Sequence, residues 1–302
     1  MSVYLDHAAT TPLRECALEA WTRVQRDLSA SPGNPAALHF GGRRARRMLE
    51  DAREQVGACL GADMHEVIFT SGATESDALG VMAAARAMRS RDPGRDLIVV
   101  SGAEHDAVAN QRQVAAREGF SWHVLPLGAD GVSDTDWGTG PGAGSPPTGR
   151  VAVGSMTLVS SEIGTIQPVK GFASRVHADG GLAHSDVAQA IATMDVSFRR
   201  MGVDLMSVGG HKVGAPAGIG VLVATRGIPM VTDRPGGGHE RAIRSGTPDV
   251  AGACALAAAL DETVRERPAF ARRSRQLREH LLTHLPLGVE ATVEASDASS
   301  AI

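Results

Sequence analysis

"EVIFTSGATESDALGVMAAARAM", residues 66–88, decides the fold. Its opening is a short apolar, β-branched run that ends at Ser71 and Gly72, and the remainder has the alanine and leucine density of a helix. A buried strand that runs through a glycine turn into a helix is half of a βαβ unit. The pattern returns at "DLIVVSG" (96–102), with "AEHDAVANQRQVAAREG" as the helix that follows. Further strands are expected at "SWHVLPL" (121–127), "RVAVGSMTLV" (150–159), "GLAHSD" (181–186), "VDLMSV" (203–208) and "GIGVLVAT" (218–225), and two helices upstream at 14–28 and 43–60. Strands alternating with helices predict an α/β fold with a doubly wound, mostly parallel sheet. Ligands of such sheets bind beyond the carboxyl ends of the strands. The suggestive polar residues of this chain fall there, after 70, 102, 159, 186 and 208.

The glycine- and proline-rich "GTGPGAGSPPTGR" (138–150) reads as a flexible surface loop. From about Val250 the sheet pattern gives way to one long helical region, and after it only "GVEATVEASDASSAI" remains. The expected organisation is therefore a large domain over 1–250, followed by a connecting helix and the start of a smaller α/β domain over 251–302.

Bulk composition narrows the function classes. The 302 residues are 43% hydrophobic and 21% charged, as in ordinary globular proteins, and the net charge of −4 leaves no basic face for nucleic acid or an acidic membrane. No apolar run is long enough to span a bilayer, and "MSVYLDHAATTPL" lacks the layout of a secretory signal. Three scattered cysteines make no disulfide framework. A cytoplasmic, reducing setting is expected, without a metal centre.

Three local features carry chemistry. In "FTSGATES" (69–76) a strand, a glycine turn and a helix start offer unpaired N–H groups and the positive end of the helix dipole to an anion, with the Thr74 hydroxyl as a further donor; many strand-to-helix turns look alike, so this signal is weak alone. In "AHSDVAQA" (183–190) Asp186 ends a strand, where it either caps the next element or holds a proton on a heteroaromatic nitrogen, and Gln189 lies one turn on. The third feature is "SVGGHKVGAPAGIG" (207–220). Of 30 basic residues only Lys170 and Lys212 are lysines. An amine condenses with an aldehyde only when neutral, a state burial can favour and arginine cannot reach. Lys170 is expected in a loop and reads as chance, whereas Lys212 ends a strand and invites a chemical role. Anion seat, carboxylate and Schiff-base lysine are together what pyridoxal 5'-phosphate requires.

With these residues in view, the chain resembles the cysteine desulfurases of the class V aminotransferase family, fold-type I pyridoxal-phosphate enzymes. The resemblance runs from "YLDHAATTPL" through "GNPAALHFGGRRAR", "VIFTSGATES", "EH", "SSEIGTIQP", "HSDVAQA" and "GGHKVGAPAGIG" to "GGGHERAIRSGTPDV", ending at residue 250. It implies that Lys212 forms the Schiff base, that Asp186 pairs with the pyridine nitrogen and Gln189 with the ring oxygen, and that His105 stacks on the ring and moves protons. Ala73, Thr74 and His211 would hold the phosphate. Thr247 would reach the phosphate of a neighbouring subunit, which implies a homodimer. The implied reaction removes sulfur from L-cysteine, leaving L-alanine and an enzyme-bound persulfide for a sulfur-acceptor protein, an iron–sulfur scaffold or a tRNA-thiolation protein.

The chain also departs from that pattern. Ser160 and Ser161 stand where the family usually has two asparagines, the second of which touches the cofactor. Gly209 stands where a serine usually supplies a phosphate-binding hydroxyl, a loss worth roughly 1.5–3 kcal/mol, or about ten- to a hundredfold in affinity. The family's nucleophilic cysteine and substrate-carboxylate arginine are expected beyond residue 302. Cys16, Cys59 and Cys254 sit in apolar helical surroundings and read as packing residues. The competing readings are another class V reaction, an aminotransferase or selenocysteine lyase, and a non-catalytic dimeric scaffold.

Overall fold

A computed structural model describes residues 3–135, 137 and 148–285. Helices α1 (Glu15–Ala30) and α2 (Phe40–Leu60) precede strand β1 (Val67–Thr70). A continuous helix follows as α3 (Ala73–Ala78), a π-helical turn (Leu79–Ala83) and α4 (Ala84–Arg91). Next come β2 (Leu97–Ser101), the short α5 (Asp106–Ala109) and α6 (Arg112–Arg117), β3 (Ser121–Leu125), β4 (Val151–Ser155), α7 (Val169–Ala178) and β5 (Leu182–Asp186). The chain continues with α8 (Phe198–Met201), β6 (Leu205–Gly209), β7 (Gly220–Ala224) and α9 (Val250–Thr283). Each predicted strand and helix has its counterpart, except that the single helix expected after β2 is two, and Lys170, expected in a loop, lies in the first turn of α7. Residues 138–147 of the expected surface loop, and 286–302 of the expected small domain, lie outside the described residues.

The seven strands form one sheet in the order β1-β7-β6-β5-β4-β2-β3. β4 pairs parallel with β2 and β5, β2 with β3, and β5 with β6, whereas β7 runs antiparallel to both β1 and β6. Apart from β7, every strand therefore points its carboxyl end the same way.

Continuous apolar strands mean burial on both faces, and the alternation along each strand sorts the side chains into two layers. Val67 and Phe69 of β1, Val99 of β2 and Val221 and Val223 of β7 join the core under α1, α2, α7 and α9. Ile68, Ile98, Val100 and Leu222 join the opposite core under α3, α4 and the π turn. Alanine dominates where helices meet closely: Ala251, Ala253, Ala255, Ala257 and Ala259 of α9 are buried against the layer that also holds Ala17 and Val24 of α1 and Ala52 and Val56 of α2. The long helix predicted from residue 250 thus begins as part of the large core, capped by Asp249, whose Oδ1 accepts from Gly252 N–H at 2.9 Å. Its last turns, with Phe270, Leu277 and Leu281, are exposed.

Candidate active site

A cavity of about 350 Å³ opens at the carboxyl ends of the strands. It is lined by Ala73 and Thr74 after β1, His105 after β2, Ser161 after β4, Asp186 and Gln189 after β5, and His211 and Lys212 after β6. Eight of the ten residues singled out from the sequence therefore face one space. Each arrives there because its strand ends there, which is how local strand–turn patterns in the sequence become a site.

Gly72 turns the chain from β1 into α3 with φ 153°, and Gly220 of β7 packs so closely on it that a Cβ there would lie 2.5 Å from Gly72 Cα. Two glycines thus let the opening of α3 come down onto the sheet. Ser71 N–H donates to Glu75 Oε2 at 2.5 Å and Ser76 N–H to Gly72 O at 3.1 Å. Among the described residues nothing accepts from the N–H groups of Ala73 and Thr74 or from the Thr74 hydroxyl. These free donors at a helix start suit an anion. Gly209 closes the seat from β6. A Cβ at this position would lie 3.3 Å from Ala73 Cβ and 3.8 Å from Ala73 N, so a serine there would aim its hydroxyl at the same anion.

Asp186 is 6% exposed, and its Oδ1 accepts from Ala188 N–H at 2.8 Å. Burial pushes its carboxyl up, while the Ala188 N–H, His105 and Lys212 pull the other way. His105 caps α5: its Nδ1 accepts from Ala107 N–H at 3.0 Å, which places the neutral ring's proton on Nε2. Burial lowers the Lys212 pKa, opposed by Asp186 and Asp6, and burial and Lys212 lower that of His211. The lysine's neutral form is thus reached at lower pH than for a free lysine, as condensation with an aldehyde demands.

The extended segment before α1 closes the mouth, which the sequence did not foretell. Lys212 Nζ donates to Ala9 O at 2.9 Å and also to Ala8 O. Gln189 Nε2 donates to Ala8 O at 2.8 Å, and His211 Nδ1 meets Thr10 Oγ1 at 3.1 Å. Tyr4 fixes the turn by donating to Asp6 O (2.9 Å) and Thr10 O (3.0 Å). "YLDHAATT" is polar and short, with no periodicity to betray where it packs. Its likeness to the opening motif of the family was the available signal.

The remaining candidates sit elsewhere. Thr247 is exposed and outside the cavity of its own chain. Ser160 is turned inward at 3% exposure, and its Oγ accepts from Glu162 and Ile163 N–H groups. Burial pushes the thiols of Cys16, Cys59 and Cys254 up to about 11, so all three are protonated at neutral pH, as packing residues should be.

The donor set fits pyridoxal phosphate on its own chemistry: free N–H groups for a phosphate, a buried carboxylate for a ring nitrogen and a partly desolvated amine for an aldehyde. Comparison with known proteins agrees. The chain is 40% identical over 280 residues to an IscS-like cysteine desulfurase of Mycobacterium tuberculosis, spanning 92% of this chain and 70% of that protein. Among solved structures a NifS-like protein superposes with a TM-score of 0.88 at 30% identity, over 100% of this chain and 80% of that one. SspA in complex with cysteine superposes with a TM-score of 0.77 at 28% identity, over 93% and 78%. The chain spans between 57% and 70% of the length of the curated relatives compared. Residues 3–294 match the family described as Aminotransferase class-V. The chain belongs to this family of pyridoxal-phosphate enzymes, on its cysteine desulfurase branch.

Proposed function

We propose that this chain carries the cofactor-binding part of a cysteine desulfurase, which takes sulfur from L-cysteine, releases L-alanine and passes the sulfur on as a persulfide. The observation that carries the reading is the convergence, in one cavity, of Lys212, Asp186 and the free N–H groups of Ala73 and Thr74. Lys212 would hold pyridoxal phosphate through its aldehyde, Asp186 would hold a proton on the ring nitrogen, and Gln189 would donate to the ring oxygen. His105 would lie on the ring face. Ala73, Thr74 and His211 would hold the phosphate beside Gly209, with Ser161 at the rim. When bound, the cofactor ring draws electron density from the substrate and so weakens the bond to sulfur.

The protein's own part is to position and to move protons. Lys212, released from the carbonyls of Ala8 and Ala9, serves as a neutral amine that accepts a proton and returns it. His105 carries a mobile proton on Nε2, and the Ala8 carbonyl holds the Gln189 amide toward the cavity.

The exposed Thr247 supports a homodimer in which it completes the partner's phosphate seat. A sulfur-acceptor protein, an iron–sulfur scaffold or a tRNA-thiolation protein, is the proposed recipient. Among the described residues no helix is long and apolar enough to cross a membrane, and the cysteines are free; we place the protein in the cytoplasm. We also divide the chain into a large unit over 1–250 and a helix-led segment over 251–302, on the ground that all seven strands among the described residues precede α9.

Borohydride reduction followed by peptide mapping tests the reading. The purified chain should be yellow, with the reduced label on Lys212, and the Lys212→Ala variant should be colourless. A colourless wild type, or a label on Lys170, would overturn the assignment.

A further inference from the structure

Asp186 is the cavity-facing end of a larger buried polar group on the α3 side of the sheet. Asp77 of α3, His184 of β5, Ser155 of β4 and Ser207 of β6 are all at 0% exposure. Glu104, just before His105, turns its carboxyl inward to meet them. The π-helical turn makes room for the imidazole: a Cβ at Gly80 would lie 2.6 Å from His184 Cδ2.

A chain of hydrogen bonds runs through the group, with Ser155 as the donor to Glu104. Ser155 donates its hydroxyl to Glu104 Oε1 at 2.8 Å, so its oxygen accepts from His184 Nδ1 at 2.9 Å. The neutral ring then has a bare Nε2, which accepts from the Ser207 hydroxyl at 2.8 Å. Both Asp77 oxygens, like Glu104 Oε2, are buried without a partner at hydrogen-bond distance, and Ser207 is the hydroxyl that faces Asp77. No lysine or arginine pairs with either carboxyl among the described residues. The one basic group at hand is His184 Nε2, 3.6 Å from Asp77 Oδ1, and burial lowers that ring's pKa to about 3. Asp77 thus faces His184, Ser207, Asp186 and Glu104, and Glu104 faces Ser155, the Thr157 N–H, Asp186 and Asp77. An ionised carboxylate in either place would be a charge in a dry interior without a counterion, which a carboxyl escapes by keeping its proton.

We propose that Asp77 and Glu104 are positioning residues held as neutral carboxylic acids, so that Asp186 bears the only negative charge of the buried group and offers it to the cofactor's ring nitrogen. The last clause rests on the cofactor reading above; the protonation of the two acids does not. A second ionised carboxylate behind Asp186 would drive Asp186 itself to take up a proton, and a neutral Asp186 cannot hold the charge of a protonated ring nitrogen. Burial acts in the same sense on both acids, pushing Asp77 well up and Glu104 to about 8.

Infrared spectroscopy of the full chain tests the two acids directly. At neutral pH, where ordinary carboxyls are ionised, a protonated-carboxyl C=O stretch is expected, with part of its intensity lost in Asp77→Asn and part in Glu104→Gln. Absence of the band in the wild type, or a band that neither substitution weakens, overturns the proposal. If Asp77→Asn does not fold, the wild-type band and the Glu104→Gln spectrum still decide.

Thermal unfolding gives a second readout. Between the ordinary carboxylate pKa and about 8, native Glu104 keeps a proton that the unfolded chain has released. Wild-type stability therefore falls with rising pH relative to Glu104→Gln, and the gap levels off once native Glu104 also ionises. A gap that does not change with pH overturns the assignment of Glu104. With cofactor bound, the visible absorption of the wild type should show a titration step near pH 8 that Glu104→Gln lacks; a step unchanged in the variant overturns the link to Asp186. The infrared and unfolding measurements need no cofactor, so a colourless protein would sink the cofactor reading while leaving the two acids testable.

Discussion

Two buried groups of ionisable side chains lie on opposite faces of the sheet, and they solve the cost of burial in opposite ways. On the α2 face Arg53 and Glu240, 8% and 6% exposed, pair through two bonds of 2.7 and 2.8 Å. Phe69 N–H donates to the same carboxylate at 2.9 Å, Arg53 donates to Val67 O at 2.9 Å, and its guanidinium lies 4.9 Å from the Phe69 ring centroid. Charge there is cancelled by charge. On the α3 face no lysine or arginine among the described residues is hydrogen-bonded to Asp77, Glu104, His184 or Asp186, and by the proposal above charge is avoided by keeping or lacking protons. A closed ion pair is what a structural site needs. An open carboxylate beside a half-buried lysine is what a site awaiting a cationic ring needs.

Substitutions should separate the two groups by what they damage. Glu240→Ala, which strands Arg53 in the interior, is expected to cost about 3–5 kcal/mol of stability in chemical unfolding, while protein that remains folded still binds cofactor. A loss below about 1 kcal/mol would mean that Arg53 finds water once its partner is gone. Asp186→Asn should do the reverse: near wild-type unfolding, and cofactor binding weaker by about ten- to a hundredfold, the worth of one charge-assisted hydrogen bond. Equilibrium dialysis against pyridoxal phosphate reads this, and unchanged affinity would remove Asp186 from the site.

Gly209→Ser sharpens the contrast by adding a donor rather than removing one. With extended φ −100° and ψ 122° and a Cβ position clear of backbone clash, the serine fits and should tighten cofactor binding by about tenfold. Equal or weaker binding would show that the anion lies away from Ala73. The smallest effect is expected of Asp6→Asn. Asp6 holds the Lys212 pKa up against burial, so its neutralisation lowers that pKa and moves the pH profile of cofactor capture toward lower pH. A shift toward higher pH would contradict the sign.

Much of this was legible in the residues themselves. β1 through β7 announce themselves because an apolar run closed by glycine or a polar residue is a local signal, and the candidate residues of the cavity sit between a strand's last residue and six places past it. Lys212 stood out because the chain otherwise uses arginine. The departures at Ser161 and Gly209 were equally readable, and Gly209 does lie against Ala73 at the anion seat. What escaped notice had no local pattern. The segment Tyr4–Thr11 reaches Gln189, His211 and Lys212 across some 200 residues of chain. Arg53 and Glu240 are 187 positions apart.

The sequence by itself determined the alternation of strand and helix, the residues that would end each strand, and the one amine suited to an aldehyde, because each of these is written in neighbours a few positions apart. Only the tertiary structure decided that Asp77 would be buried without a lysine or arginine beside it, that His184 would lie between two serines, and that the carbonyls of Ala8 and Ala9 would close over Lys212. Those outcomes depend on which strands become neighbours and on how far water is kept out. Order in a sheet and the dryness of an interior are properties of the packed whole, which no window of local sequence contains.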